Sequence, residues 1–290
     1  MHARLDQLAI ERPDLVPALT LQRELLDRAV ELIGMFAAGG LPGLSLPPRY
    51  VAAKLGRGIP ALHGEPIPLP VKVLTSCARD FCDRIASGGA GEAAVAVARA
   101  LESQAVAPAA LMSACFGRDQ RRVRLMAAQQ GLVPDLVWLV AELALSPFAH
   151  LLQVQIMGSS DEGPVTTARR AWDRGFCPAC GSWPAVIEAV GGAHVLRCSF
   201  CAAGWQLSSY RCIYCANDGE TFITAAPDPE RTGRRLQACG GCGAYVKVLE
   251  LATPTRFPLV AIEDLASMDL DMAAIEQKYA RPPLPEIRKS

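Results

Sequence analysis

Neither sign of charge is in excess in this chain: 29 Lys and Arg balance 29 Asp and Glu among 290 residues. Binding to nucleic acid draws on a basic surplus facing phosphate, so that class is disfavoured from the outset. The sequence also lacks a Ser/His/Asp set, a phosphate-binding loop and a dinucleotide fingerprint, which points away from an enzyme. Its first residues, Met1 to Asp6, carry scattered charge and no apolar stretch before a cleavage site. The expectation is a cytoplasmic protein without a signal peptide or twin-arginine leader. The longest charge-free apolar stretch, residues 143–160, is interrupted by Pro147, His150 and two glutamines. It reads as a helix buried in a bundle, and no membrane insertion is expected.

What is present divides near residue 165. Half of the residues are hydrophobic, enough for two domains with cores of their own. Before the divide, apolar residues recur at three- and four-residue steps, as at Leu21, Leu25, Leu26, Ala29, Leu32 and Ile33. Similar stripes run through 71–85, 91–101, 109–116, 121–128 and 136–156. Glycine and proline breakers at 39–43, 46–48, 66–70 and 87–89 separate them. Residues 158–167 are polar and read as a linker. From Phe176 onward, short β-prone runs (185–190, 194–197, 205–211, 221–224, 234–238, 244–251) alternate with turns such as Gly191-Gly192 and Pro227-Asp228-Pro229. Residues 262–279 return to a helical pattern, stopped by Arg281-Pro282-Pro283.

Eight of the eleven cysteines stand in four Cys-x-x-Cys pairs: Cys177/Cys180, Cys198/Cys201, Cys212/Cys215 and Cys239/Cys242. Two intervening residues let one tight turn aim both sulfurs at one ion while its N–H groups stabilise the thiolates. In Cys177-Pro178-Ala179-Cys180-Gly181, Pro178 fixes φ and Gly181 can turn left-handed. Two facing turns make a tetrahedral S₄ site for zinc, or for a single iron. The gaps between pairs are 17, 10 and 23 residues. The first and last each hold a hairpin that returns the chain to its own turn. The first pair should therefore share an ion with the second, and the third with the fourth; a cross-brace of first with third is the alternative. Redox dithiol chemistry fits poorly, since a reactive pair stands alone at a helix N-terminus. A cysteine-rich chaperone finger would repeat a glycine-rich pattern that is missing. Cys77, Cys82 and Cys115 lack partners at ligand spacing and read as small core residues. His194, the one histidine in this region, reads as a surface residue. From Cys177 to Leu251, six basic residues face six acidic ones. Each S₄ site with a divalent ion adds about −2, making the module net negative.

The stretches Cys177-Pro-Ala-Cys-Gly-Ser-Trp-Pro184, Leu196-Arg-Cys-Ser-Phe-Cys201 with Trp205, Arg211-Cys-Ile-Tyr-Cys215 and Ala238-Cys-Gly-Gly-Cys-Gly-Ala-Tyr-Val-Lys247 resemble the formate dehydrogenase accessory proteins of the FdhE family. So does Glu263-Asp-Leu-Ala-Ser-Met-Asp-Leu-Asp271, followed by Glu276 and Tyr279. The resemblance covers roughly residues 165–280; the helical half shares no motif. It implies a cytoplasmic maturation factor that engages the catalytic subunit of formate dehydrogenase before export. It also implies rubredoxin-like sites with the eight cysteines as ligands, and it favours iron where the residues alone favour zinc.

The expected fold is α+β and multidomain. An all-α bundle fills residues 1–165, followed by tandem rubredoxin-like (zinc-ribbon) modules at 166–207 and 208–252, and a C-terminal helix with its tail at 253–290. The expected function is a non-enzymatic assembly factor carrying two metal ions, each bound by four cysteines. The alternatives are an iron electron-transfer protein acting on the dehydrogenase and a zinc-ribbon adaptor for nucleic acid or protein. The aromatic side chains of the ribbons exceed what two thin modules can bury. The plainer expectation is that they cement the ribbons to the helical domain; the sharper one is that Trp183 and Trp205, with Asp264, Asp269 and Asp271 on the acidic helix, form the docking face for the client.

Overall fold

The computed structural model describes residues 1–40, 44–158, 162–226 and 233–287. The expected turn at Pro227–Pro229, together with residues 41–43 and 159–161 of the expected breaker and linker, lies outside the described residues. The helical stripes fold as α1 (His2–Glu11), α2 (Val16–Gly39), α3 (Pro48–Gly56), α4 (Val71–Ile85), α5 (Gly91–Glu102), α6 (Pro108–Phe116), α7 (Gln120–Gln129) and α8 (Pro134–Met157). A further short helix, α9 (Pro164–Arg170), occupies part of the expected linker. Pro164 starts it, since a first-turn proline loses no helical hydrogen bond.

The chain forms two compact units, and their boundary is not the single one expected near residue 165. One unit comprises Met1–Ser45 and Gly64–Leu152; the other comprises Leu46–His63 and Gln153–Ser290. The first is helical, and α4 illustrates its logic. Leu74, Cys77, Ala78, Phe81, Cys82 and Ile85 recur at helical steps, and all are buried. Burial of each large apolar side chain contributes about 1.5–3 kcal/mol. Phe148 of α8 anchors an aromatic centre, edge-on to Phe36 at 5.4 Å and to Phe116 at 6.2 Å. By length and composition α8 is apolar enough to cross a membrane, but half of its most apolar window is buried in the protein. Its Glu142 accepts from Arg118 at 2.6 Å and from the Trp138 indole at 2.9 Å, which ties it into the unit as a core helix. Cys115 is buried with Cys77 and Cys82, as small core residues should be.

The second unit holds one six-stranded mixed sheet built from β1 (Pro184–Val190), β2 (Ala193–Cys198), β3 (Gly204–Trp205), β4 (Phe222–Ala225), β5 (Arg234–Cys239) and β6 (Ala244–Glu250). Its order is β3-β2-β1-β6-β5-β4. All pairs are antiparallel except β1 and β6, which run parallel with Val186 opposite Lys247. The two expected ribbons are thus one continuous sheet. Each contributes turn, hairpin, turn and strand in the same chain order, and the last strand of the second lies along the first strand of the first. The expected strand over 205–211 is only β3. Beyond Trp205 the chain leaves the sheet, and the Ser208 N–H donates to Asp173 Oδ1 at 3.0 Å.

The expected C-terminal helix is two, α10 (Val260–Ala266) and α11 (Met268–Glu276). They break at buried Ser267, whose hydroxyl donates to the Glu263 carbonyl at 2.7 Å. Both helices pack on the sheet through Val260, Leu270 and Ala274 against Val186, Leu236 and Leu249. Polar groups reinforce this layer. Lys247 on β6 is fully buried, with Nζ 2.7 Å from both Asp264 and Asp271. Arg281 reaches the same two carboxylates at 2.7 and 3.0 Å. Burial raises the Asp264 pKa, but Arg281 and Lys247 overcome it and hold the carboxyl below its ordinary value.

Candidate metal centres

Two groups of four cysteines assemble in the second unit, Cys177/Cys180/Cys198/Cys201 and Cys212/Cys215/Cys239/Cys242. Within each, all sulfurs lie within 4.8 Å of one another. The first pair meets the second and the third meets the fourth, so the hairpins, not a cross-brace, set the pairing. Cross-pair sulfurs are 3.6 Å (Cys177–Cys201) and 3.4 Å (Cys180–Cys198) apart in the first group. In the second both separations, Cys212–Cys242 and Cys215–Cys239, are 3.7 Å. These spacings are far too long for disulfides. They approach the edge of about 3.8 Å expected for a tetrahedron with metal–sulfur bonds of about 2.3 Å.

The four turns share one backbone design. The residue after the second cysteine is left-handed in each: Gly181 (φ 86°), Ala202 (φ 56°), Ala216 (φ 61°) and Gly243 (φ 69°). In three turns its N–H donates to the carbonyl of the first cysteine, at 3.0 Å (Cys177), 2.9 Å (Cys212) and 2.8 Å (Cys239). That closure leaves inner N–H groups free for sulfur. The N–H groups of Ala179 and Phe200 lie 3.4 Å from the Sγ of Cys177 and Cys198. Sequence reasoning anticipates the left-handed residue at Gly181 but not at the two alanines, where side-chain identity gives no signal.

Solvent separates the two groups. Every cysteine of the first is buried, whereas Cys215 and Cys242 of the second are exposed. Burial pushes the Cys177 and Cys201 thiols well up, so ionisation of this cluster needs a compensating cation. At Cys239 burial also opposes ionisation. There the Asn217 amide, 3.5 Å from Sγ, and the backbone N–H groups of Cys242 and Gly241 prevail, bringing the thiol down to about 6. The donor sets fit a tetrahedral ion of the zinc or iron type. Such an ion would supply charge neutralisation and, if iron, one-electron chemistry.

A segment distant in sequence covers the first group. After α3 the N–H groups of Ala61 and Leu62 donate to the carbonyls of Pro178 and Ala179, at 2.8 and 2.9 Å. Buried Lys54 fixes that segment by donating to the Ala61 and His63 carbonyls, at 2.9 and 2.7 Å. Nothing local in the sequence announces this clamp.

The expected docking residues mostly have internal work. Trp205 is buried, with its indole N–H on the Arg174 carbonyl at 2.9 Å. Asp264 and Asp271 serve Lys247 and Arg281, and Asp269 accepts from Arg234 at 3.4 Å. Trp183 is half-buried: edge-on to Tyr214 at 4.9 Å and Phe176 at 6.1 Å, its indole N–H donates to the Pro283 carbonyl at 2.8 Å.

No protein-family model matches the chain. Among curated proteins, it is 31% identical over 115 residues to the FdhE homolog of Aquifex aeolicus, covering 38% of this chain and 40% of that protein. It is 32% identical over 112 residues to Protein FdhE of Escherichia coli O127:H6, covering 37% and 36%. To the FdhE homolog of Pectobacterium atrosepticum it is 34% identical over 112 residues, with the same coverage. The match thus spans about 40% or less of these relatives' length. The crystal structure of the FdhE protein from Pseudomonas aeruginosa superposes on 97% of this chain and 91% of that one, with a TM-score of 0.59 and 25% identity. That likeness extends into the helical half, where the sequence alone offers no shared motif. The chain is thus similar in sequence to FdhE proteins over little more than a third of its length, and in fold to one of them over nearly all of it.

Proposed function

We propose that this protein is an accessory factor for formate dehydrogenase, acting in the cytoplasm on the catalytic subunit before export. The observation that carries the reading is the pair of four-cysteine groups on an FdhE fold. All eight cysteines act as ligands, and four protein thiolates leave no open position for substrate, which favours a binding role over catalysis. In a host lacking this gene, formate-dependent dye reduction should fall to background while the dehydrogenase polypeptide still accumulates. Supplying the gene should restore activity, and the protein should co-purify with the catalytic subunit. Undiminished activity in the deletion host overturns the reading.

A second reading, electron transfer through iron, draws on the exposure of Cys215 and Cys242, which brings one centre to the surface. Purified protein with two zinc ions per chain and no visible band excludes it. A visible band that bleaches and returns through a redox cycle favours it.

A further inference from the structure

Beyond Tyr279 the chain runs as a strap from one cysteine centre to the other. At one end the Ala280 N–H donates to the carbonyl of Gly243, in the last turn of the second centre, at 2.9 Å. At the other end Ile287 lies over Gly181, in the first turn of the first centre, so close that a methyl at Gly181 would stand 2.5 Å from Ile287 Cδ1. Between them stand Pro282, Pro283 and Pro285. Each proline fixes its own φ, and Arg281, Pro282 and Leu284 are pushed toward extended conformations by the prolines that follow. The strap is thus biased to polyproline II and has few N–H groups for pairing as a strand. It is held through a carbonyl instead: the Trp183 indole N–H donates to Pro283.

Alongside Trp183 opens a cleft of about 880 Å³, lined by Trp172, Phe176, Trp183, Ile213 and Tyr214, with Pro285 of the strap on one wall. That size lies in the range of ligand-binding clefts. Aromatic walls and an indole donor facing a prolyl carbonyl are the chemistry by which grooves recognise polyproline II segments. The charge at the cleft is also open. Arg211 is engaged by Asp173 at 2.6 Å. Arg174, which also lines the cleft, is exposed and has no ion-pair partner among the described residues.

We propose that this cleft binds an extended, proline-containing segment of a partner protein that carries a carboxylate for Arg174. The strap occupies the rim as a resident competitor of the same chemistry, with Glu286 following its last proline. The inference does not depend on the accessory role, because binding is measured on the isolated chain.

The probe is a capped dodecapeptide of prolines and leucines with two glutamates, titrated into the full-length protein by calorimetry. Controls are the same peptide with its prolines replaced by alanine or its glutamates by lysine. The full chain should bind the proline-glutamate peptide saturably and the alanine peptide not at all. A chain stopped after Pro282 should bind it about fivefold more tightly, since the strap competes at high effective concentration. Trp183→Phe keeps a ring but removes the indole donor and should weaken binding up to about tenfold. Arg174→Glu should reverse the preference for glutamate over lysine. Circular dichroism and metal content confirm that each variant is folded. The proposal fails if neither the full nor the shortened chain binds, if the alanine peptide binds equally well, or if Trp183→Phe and Arg174→Glu both leave affinity unchanged.

Discussion

The two cysteine centres share turn, hairpin and spacing chemistry, yet they sit in different solvents. The first is sealed by the segment after α3, by Ile287 over Gly181 and by buried Phe200. The second keeps two of its four cysteines exposed, with Asn217 as its side-chain hydrogen-bond donor. A four-cysteine motif thus sets ligand geometry, while accessibility is decided by chain segments far away. The first centre is enclosed within the second unit, whereas the second opens to solvent at Cys215 and Cys242.

Removing ligands should show the largest contrast. Cys177→Ala should remove one of two bound ions and unfold much of the second unit, because binding energy at a structural site of this kind is folding energy, of order 10 kcal/mol. Cys215→Ala should also lose one ion but keep a cooperative thermal transition and unchanged helical signal. Alkylation of the native protein should mark Cys215 and Cys242 well before the other six ligands, as read by peptide mass spectrometry. Equal rates at all eight would remove the distinction.

The next contrast lies in what stands behind each centre. The second hairpin is backed by Lys247 and its two aspartates; the first carries the looser pair of Glu188 and Arg197, at 3.6 Å. Lys247→Met leaves the half-buried Asp264 and Asp271 with Arg281 alone, which should cost about 1–3 kcal/mol in urea denaturation. Acid should act in the same direction. Because the folded Asp264 pKa is depressed, its contribution is complete above the ordinary carboxylate value near 4 and is lost as pH falls through the folded value. Asp264→Asn should flatten the acid limb of the stability profile. An unchanged limb would assign acid sensitivity to the thiolates.

How far the sequence foretells this arrangement depends on distance along the chain. The cysteine turns and the hairpin of β1 and β2 are legible because glycine, proline and β-branched residues act within a few positions. The stripe of α4 is equally plain from its apolar spacing. The parallel pairing of Val186 with Lys247 joins residues some sixty positions apart, and no local pattern encodes it. The hydrogen bonds from Ala61 and Leu62 to the first cysteine turn reach further still. Both decide what the centres can do, one by fusing the ribbons into a single sheet and the other by sealing one centre. The acidic residues of α10 and α11 are legible as a cluster but not as the partners of a buried lysine, since charge on a helix carries no record of which way it faces.

Smaller effects test the turns themselves. Gly181→Ala strains a left-handed residue and drives a methyl against Ile287, whereas Gly243→Ala strains the backbone with nothing within 4 Å of the new methyl. The second should cost about 1–2 kcal/mol, and the first should exceed it only by what it takes to shift the flexible end of Ile287.

The reverse substitution at the two alanines gives the finest comparison. Ala202 and Ala216 both occupy left-handed conformations that cost an L-residue about 1–2 kcal/mol. Glycine relieves that strain but enlarges the unfolded ensemble, which takes back about 0.4–1 kcal/mol. At exposed Ala216 these are the main effects, so Ala216→Gly should stabilise by about 0.5 kcal/mol. At Ala202 the methyl is also packed in the core with Val186 and Leu236, and its loss forfeits about 0.8 kcal/mol. Ala202→Gly should therefore be neutral or slightly destabilising. The readout is the guanidinium midpoint of metal-loaded protein at unchanged slope, which isolates stability from changes in the denatured state. If Ala202→Gly stabilised as much as Ala216→Gly, the buried methyl of the first centre would contribute nothing, and the packing difference drawn between the centres would not extend to their turns.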